Sequence, residues 1–265
     1  MIQLDNIPLS SYAKRHLVKN HKKVMSKKTF EEKIKEGSRV WNFKNNKAFK
    51  EIKTNLTKMC SGHQRCCYCE DAPAYEIEHI APKNIYPELC FTWENYLYAC
   101  GPCNGPKSNN YALFLKSNGS FKDITPQKGK YPIPPKGTPV LIDPRKENPF
   151  DYIILDFKTF RFTPFSPDKK SKEYKRGEYT IDILNLNTRD YLVKRRAASY
   201  KNFTLRLQEY IKQKNEGKTA KQLAILTTGI KEEHNITIFK EMQRQHIDFE
   251  SFNEIFSQIP EALTW

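Results

Sequence analysis

No apolar run in the sequence approaches the roughly 20 residues that a membrane-crossing helix requires, and Met1-Ile2-Gln3-Leu4-Asp5 is not a basic stretch leading into an apolar one. Neither a membrane partner nor a secretory leader is expected. The pattern Gly-x-x-x-x-Gly-Lys-Ser/Thr is absent, so any ATP dependence must come from another subunit. No internal repeat is found, which excludes a solenoid or propeller. Seven cysteines are an odd number, which argues against a disulfide framework and for a reducing, cytoplasmic location. Acidic residues are also scarce: 30 Asp and Glu stand against 45 Lys and Arg, a formal net charge of +15. Such a surplus attracts polyanions over long range, and nucleic acid is the first partner to consider. The alternative is a merely solvated surface, because basic composition without a site does not decide the matter.

The surplus is uneven, since residues 1–60 hold fifteen Lys and Arg and five acids. After a short tail, Phe30 to Phe43 reads as a charged helix. Phe49, Ile52, Leu56 and Met59 then recur on one helical face, with Gly62 as a stop. From Gln64 to about Gly119 the helical periodicity fades. Residues 120–148 carry Pro126, Pro132, Pro134, Pro135, Gly137, Pro139 and Pro144, which prevents a long helix and suggests an extended connector. Beyond it, Tyr152 to Phe162 reads as a strand pair and Thr180 to Leu184 as another short strand. A long helix from about Thr188 to Lys214 has Asn187 or Thr188 as N-cap and a stripe of Tyr200, Phe203, Leu207 and Tyr210. Shorter helices follow around Ala220 to Ile230 and Ile236 to Phe256.

Chemistry concentrates between residues 64 and 119. Cys66 and Cys69 form one C-x-x-C pair and Cys100 and Cys103 another, and each two-residue gap lets both thiolates reach one ion. Four thiolates close a tetrahedron around Zn²⁺ with no open position, which marks a structural site. The alternative is four unrelated buried thiols. Cys67 could replace a neighbour, although Cys66 has the correct spacing to Cys69; Cys60 and Cys90 stand outside the pattern. Between the pairs, Tyr75 to Lys83 alternates as a short strand ending at Pro82, which sends Glu78 and His79 to opposite faces; at a frayed strand end the two can still serve one site. His16, His21, His234 and His246 have no carboxylate or cysteine at ligand spacing and read as structural or surface residues, whereas His63 sits near the first cysteine pair.

The order C-x-x-C, Glu78-His79-Ile80-x-Pro82-Lys83, Asn95-Tyr96-Leu97, then Cys100-x-x-Cys103-Asn104-x-x-Lys107 resembles the HNH endonucleases of the four-cysteine, McrA-like type. That resemblance implies an α+β fold: a ββα-metal, treble-clef-like, zinc-stapled core within a mostly helical chain. It implies further that Glu78 and Asn104 hold one divalent ion, Mg²⁺ or another, that neutral His79 is the general base on the attacking water, and that Asn95 fixes the loop bearing that base. Lys107 and Lys83 would hold phosphate oxygens. The family often has Asp where Glu78 stands and His where Asn104 stands, and both residues here keep an oxygen ligand suited to Mg²⁺.

A second likeness lies outside this core. Pro139 to Arg145 with Asn148-Pro149, and Thr180 to Asn187 followed by Leu192 and Arg195-Arg196, resemble the PtuB family of HNH proteins from Septu and certain retron antiphage systems. It implies a PtuA-like ATPase of the ABC or SMC type as partner. For retron-linked members it implies a reverse transcriptase with its RNA–DNA hybrid. The substrate would be DNA, with tRNA or other RNA as alternatives. The expected organisation is a basic helical segment over 1–62, the nuclease core over 63–125, and a connector, short strands and partner-docking helices over 126–265. Two other function classes remain: a self-sufficient, modification-dependent restriction endonuclease, and a zinc module that only binds nucleic acid or a partner.

Overall fold

The computed structural model describes residues 1–44, 46–61 and 64–265. Gly62 and His63, and with them the helix stop and the 62/63 boundary expected there, lie outside the described residues.

Three helices come first. Helix α1, Ser11–Met25, starts at Ser10, whose hydroxyl accepts from the Ala13 amide at 3.2 Å and satisfies one of the free N–H groups of the first turn. Its buried residues, Ala13, Leu17, Asn20 and Val24, recur every three or four positions. The expectation of a tail before Phe30 is therefore corrected: lysines on the outer face obscured an amphipathic helix. Helix α2, Phe30–Trp41, opens with a reciprocal cap between Thr29 and Glu32. Helix α3, Lys47–Met59, is capped by Asn46 and buries Phe49, Ile52, Leu56 and Met59, the expected stripe. Phe49 meets Trp41 edge-on at 5.4 Å between centroids, which fixes the indole at the end of α2.

Strand β1, Glu76–His79, pairs antiparallel with β2, Tyr96–Ala99, and helix α4, Gly101–Lys107, follows directly. This is a hairpin and a helix in the order ββα. The strand stops at His79 rather than running to Pro82. Beyond that point Ile80 N donates to Asn95 O at 2.9 Å and Ala81 N to Asn95 Oδ1 at 2.8 Å, and the proline has no N–H to offer.

A second sheet has the order β4-β3-β5, from β3 (Ala112–Leu115), β4 (Phe121–Asp123) and β5 (Gly137–Pro139). The proline-rich stretch thus supplies two strands. Gly137 permits the pairing, because a Cβ there would lie 2.4 Å from the Phe114 carbonyl oxygen. Just beyond, the buried Arg145 guanidinium donates to the carbonyls of Trp93 and Tyr96, tying this stretch to the β hairpin.

Strands β6 (Ile153–Asp156) and β7 (Arg161–Pro164) form the hairpin expected over 152–162. The strand expected at Thr180 to Leu184 is instead the end of helix α5, Lys172–Ile183, capped by Ser171. Its buried Gly177, Thr180 and Ile181 have helical, not alternate, spacing, and burial against β7 outweighs the β-branched composition. Helix α6, Asp190–Asn215, buries Phe203, Leu207 and Tyr210. Arg189 stands at its N-cap. Asn187, expected there with Thr188, bonds the Phe162 backbone at 2.9 and 2.7 Å instead. Helices α7 (Ala220–Lys231), α8 (Ile236–Arg244) and α9 (Glu250–Gln258) complete an α+β chain. One continuous cluster of buried side chains runs from Leu17 and Phe49 through Leu97 and Leu141 to Leu207 and Phe256.

Candidate metal centre and active site

The first C-x-x-C pair sits in a tight loop. Cys66 N donates to Ala72 O at 3.0 Å, Cys67 N to Tyr98 O at 3.0 Å, and Glu70 N back to Cys66 O at 2.8 Å. The second pair brackets the first turn of α4, where Cys103 N and Asn104 N both donate to Cys100 O. The sulfurs of Cys66, Cys69, Cys100 and Cys103 all lie within 4.8 Å of one another, and those of Cys69 and Cys100 are 3.8 Å apart. Zn–S bonds of about 2.3 Å at tetrahedral angles place sulfurs about 3.8 Å apart, so this cluster could hold a structural zinc. Burial pushes the Cys66 thiol up while hydrogen bonds from Cys100 and Cys103 draw Cys69 down. Cys67 points elsewhere: its sulfur is 3.9 Å from that of Cys60, which decides the ambiguity in favour of Cys66.

Sequence reasoning missed Arg189. Its Nη2 donates to Cys103 Sγ at 3.1 Å, while Nε bonds Asn185 O and Nη2 also bonds Leu184 O, both at 2.9 Å. A cation so placed offsets the double negative charge of a zinc tetrathiolate and orients one sulfur. No local signal marks it, because Arg189 is far along the chain from the thiol it meets.

Beside the cluster is a cavity of about 470 Å³ lined by Trp41, Glu76, Glu78, His79, Lys83 and Asn104, among others. Glu78 and His79 both border it despite their strand alternation, because β1 ends there. The His79 ring is enclosed by Trp41, at 4.3 Å between centroids, and by Tyr96, at 5.3 Å. His79 Nε2 lies 3.0 Å from the Cys90 carbonyl oxygen. A carbonyl can only accept, so Nε2 carries the proton and Nδ1 the lone pair. Burial presses the His79 pKa down to about 3, with Lys83, Lys107 and Lys44 adding to the effect, so the ring is neutral throughout the physiological range.

Asn95 lies behind the cavity. Its Oδ1 accepts from Ala81 N at 2.8 Å, and Nδ2 donates to Ala81 O at 2.9 Å and Leu89 O at 3.1 Å. These bonds hold the loop after His79 against the segment whose Cys90 carbonyl orients the imidazole. Lys107 does not line the cavity but packs behind Glu78. Fully buried, it sets its ammonium 2.5 Å from Glu78 Oε1 and donates to His79 O at 2.6 Å. Burial pushes the Glu78 carboxyl up and the Lys107 ammonium down, each opposed by the other. The structure therefore turns Lys107 inward, whereas Lys83 is half-buried at the cavity. Asn104 borders the cavity from α4, and its Nδ2 donates to Glu76 Oε2 at 2.7 Å, a residue to which the sequence reading gave no part.

The site suits a hard cation, offering the carboxylates of Glu76 and Glu78 and the carboxamide of Asn104. Among the described residues the four-cysteine cluster is the grouping of three or more His, Cys, Asp or Glu close enough to share an ion. Any second site would draw on a carboxamide as well.

No family model matches the chain. Septu protein PtuB of Bacillus thuringiensis is 30% identical over 171 residues, covering 63% of this chain and 50% of that protein. Septu protein PtuB of Bacillus mycoides (strain KBAB4) is 31% identical over 172 residues, covering 58% of this chain and 52% of that protein. The chain thus spans about half the length of the curated relatives it matches. It is similar over more than half its own length to Septu protein PtuB, and its four-cysteine cluster is consistent with a zinc-binding module of HNH type.

Proposed function

We propose that this chain is the nuclease effector of an antiphage system, an HNH endonuclease that hydrolyses phosphodiester bonds with a divalent cation. The observation that carries the reading is that Glu78, His79 and Asn104 border one cavity against the helix anchored by Cys100 and Cys103. The likeness to Septu protein PtuB supports it independently. His79 takes a proton at Nδ1 from the attacking water, its other nitrogen held by the Cys90 carbonyl. Asn95 keeps that carbonyl's segment in place. The Glu78 carboxyl and the Asn104 carboxamide oxygen would hold the cation. When bound, it supplies positive charge to the scissile phosphate and the leaving 3′ oxygen. Lys83 at the cavity meets a neighbouring phosphate oxygen, and the products carry 5′-phosphate and 3′-hydroxyl ends.

The partner in this reading is a PtuA-like ATPase, as the likeness to Septu protein PtuB suggests, and any ATP dependence belongs to that subunit because this sequence has no P-loop. The C-terminal helices serve to dock it. DNA is the favoured substrate, and the exposed cations of α1 (Lys14, Arg15, Lys19, Lys22 and Lys23) suit a phosphate backbone.

The test is His79→Ala in the full chain with its ATPase. Cleavage should fall on the order of 10²–10⁴-fold, with zinc content unchanged and the chain still folded, at a Tm lowered by the cavity the buried ring leaves. A variant that cut as the wild type does would end the assignment. One observation favours the non-catalytic zinc module instead: Lys107 already occupies Glu78 as an ion partner. Titration with Mn²⁺ separates the two, since a pure binding module gains no divalent site at Glu78.

A further inference from the structure

Two carboxylates of β1 border the cavity, and the hydrolytic chemistry uses only Glu78. Glu76 lies two residues earlier, so strand alternation puts both acids on one side of β1. Across the hairpin Glu76 pairs with Ala99, the residue before Cys100, which sets it against the start of α4. There Glu76 Oε2 accepts from Asn104 Nδ2 at 2.7 Å. A carboxylate only accepts, whereas a carboxamide has one donating and one accepting end. The contact therefore dictates which end of Asn104 faces Glu76 and turns Oδ1 away from it. Gly101 leaves the space: a Cβ there would stand 3.2 Å from Glu76 Oε1.

We propose that Glu76 is a positioning residue that locks the Asn104 carboxamide so that its oxygen, not its NH₂, is presented to the divalent cation. The proposal rests on the metal-dependent reading of the site. Without Glu76 the amide turns over, and its NH₂ end repels a cation instead of binding it. Glu76 acts through Asn104 and touches no reacting atom.

The experiment measures Mn²⁺ affinity by electron paramagnetic resonance on the zinc-loaded full chain. Glu76→Ala should weaken binding about tenfold, the lower end for loss of a group that orients a metal ligand. Glu76→Gln keeps an acceptor and should restore most of the affinity. Glu76→Ala should add nothing in an Asn104→Ala background. An unchanged affinity in Glu76→Ala, or an additive loss in the double variant, would overturn the proposal. A second readout needs no cation: the Asn104 side-chain amide resonances, displaced by a charge-assisted bond in the wild type, should return to ordinary positions in Glu76→Ala. If those resonances move as expected while Glu78→Ala and Asn104→Ala leave Mn²⁺ binding untouched, the cation site has failed and the orienting bond has not. If they do not move, the orienting bond is refuted on its own.

Discussion

Replacing Lys107 by Met keeps most of the stem's volume and removes the ammonium from a site with no exposed surface. Glu78, 2.5 Å away and almost as deeply buried, is then left without its counter-charge. Breaking one partner of a buried ion pair costs about 3–5 kcal/mol, because the remaining charge is neither solvated nor paired. Loss of the bond to His79 O adds about 1 kcal/mol. For a chain of this size such a loss lowers Tm by about 10 °C. Urea denaturation of the zinc-loaded protein measures it. The double variant Glu78→Gln, Lys107→Met should lose much less than the sum of the single variants, a coupling of about 2 kcal/mol or more. A Lys107→Met variant within about 1 kcal/mol of wild type, or additive single effects, would show that the two charges do not depend on each other.

Acid should destabilise the fold through His79. Its folded pKa of about 3 lies below the unfolded 6.5, so as pH falls below 6.5 the unfolded chain takes up a proton that the folded one refuses. Between pH 6.5 and 5 the wild type should lose about 1.6 kcal/mol more than His79→Gln; parallel profiles would refute this. Cys67→Ser should retain zinc by elemental analysis, whereas Cys66→Ser should lose it, and the reverse result would reassign the ligand. If α1 tracks phosphates, reversing two of Lys14, Lys19 and Lys22 should flatten the salt dependence of nucleic-acid binding by a slope of about 2. An unchanged slope assigns those lysines to solubility.

Local spacing made the cysteine cluster legible. A two-residue gap forces two thiols to one side of a tight turn, and two such pairs flanking a hairpin have few ways to sit apart. The amphipathic stripes of α3 and α6 were legible for a similar reason, since periodicity is a property of neighbouring residues. Helix α1 and the end of α5 were not. In α1 the five Lys and Arg outnumber the four buried residues, and in α5 the run Thr180-Ile181-Asp182-Ile183 has strand composition that only packing against β7 overrules.

The same division holds at the site. The sequence alone brought forward Glu78, His79, Asn95, Asn104 and the four thiols, because motif order survives in one dimension. The tertiary structure decided which partner each side chain takes: Lys107 turned inward to Glu78, Asn104 held by Glu76, Cys67 facing Cys60, and Arg189 on the Cys103 sulfur. Those choices depend on burial and on contacts between distant segments, where a few ångströms determine whether a charge is paired, solvated or stranded, and no spacing rule along the chain contains that distance.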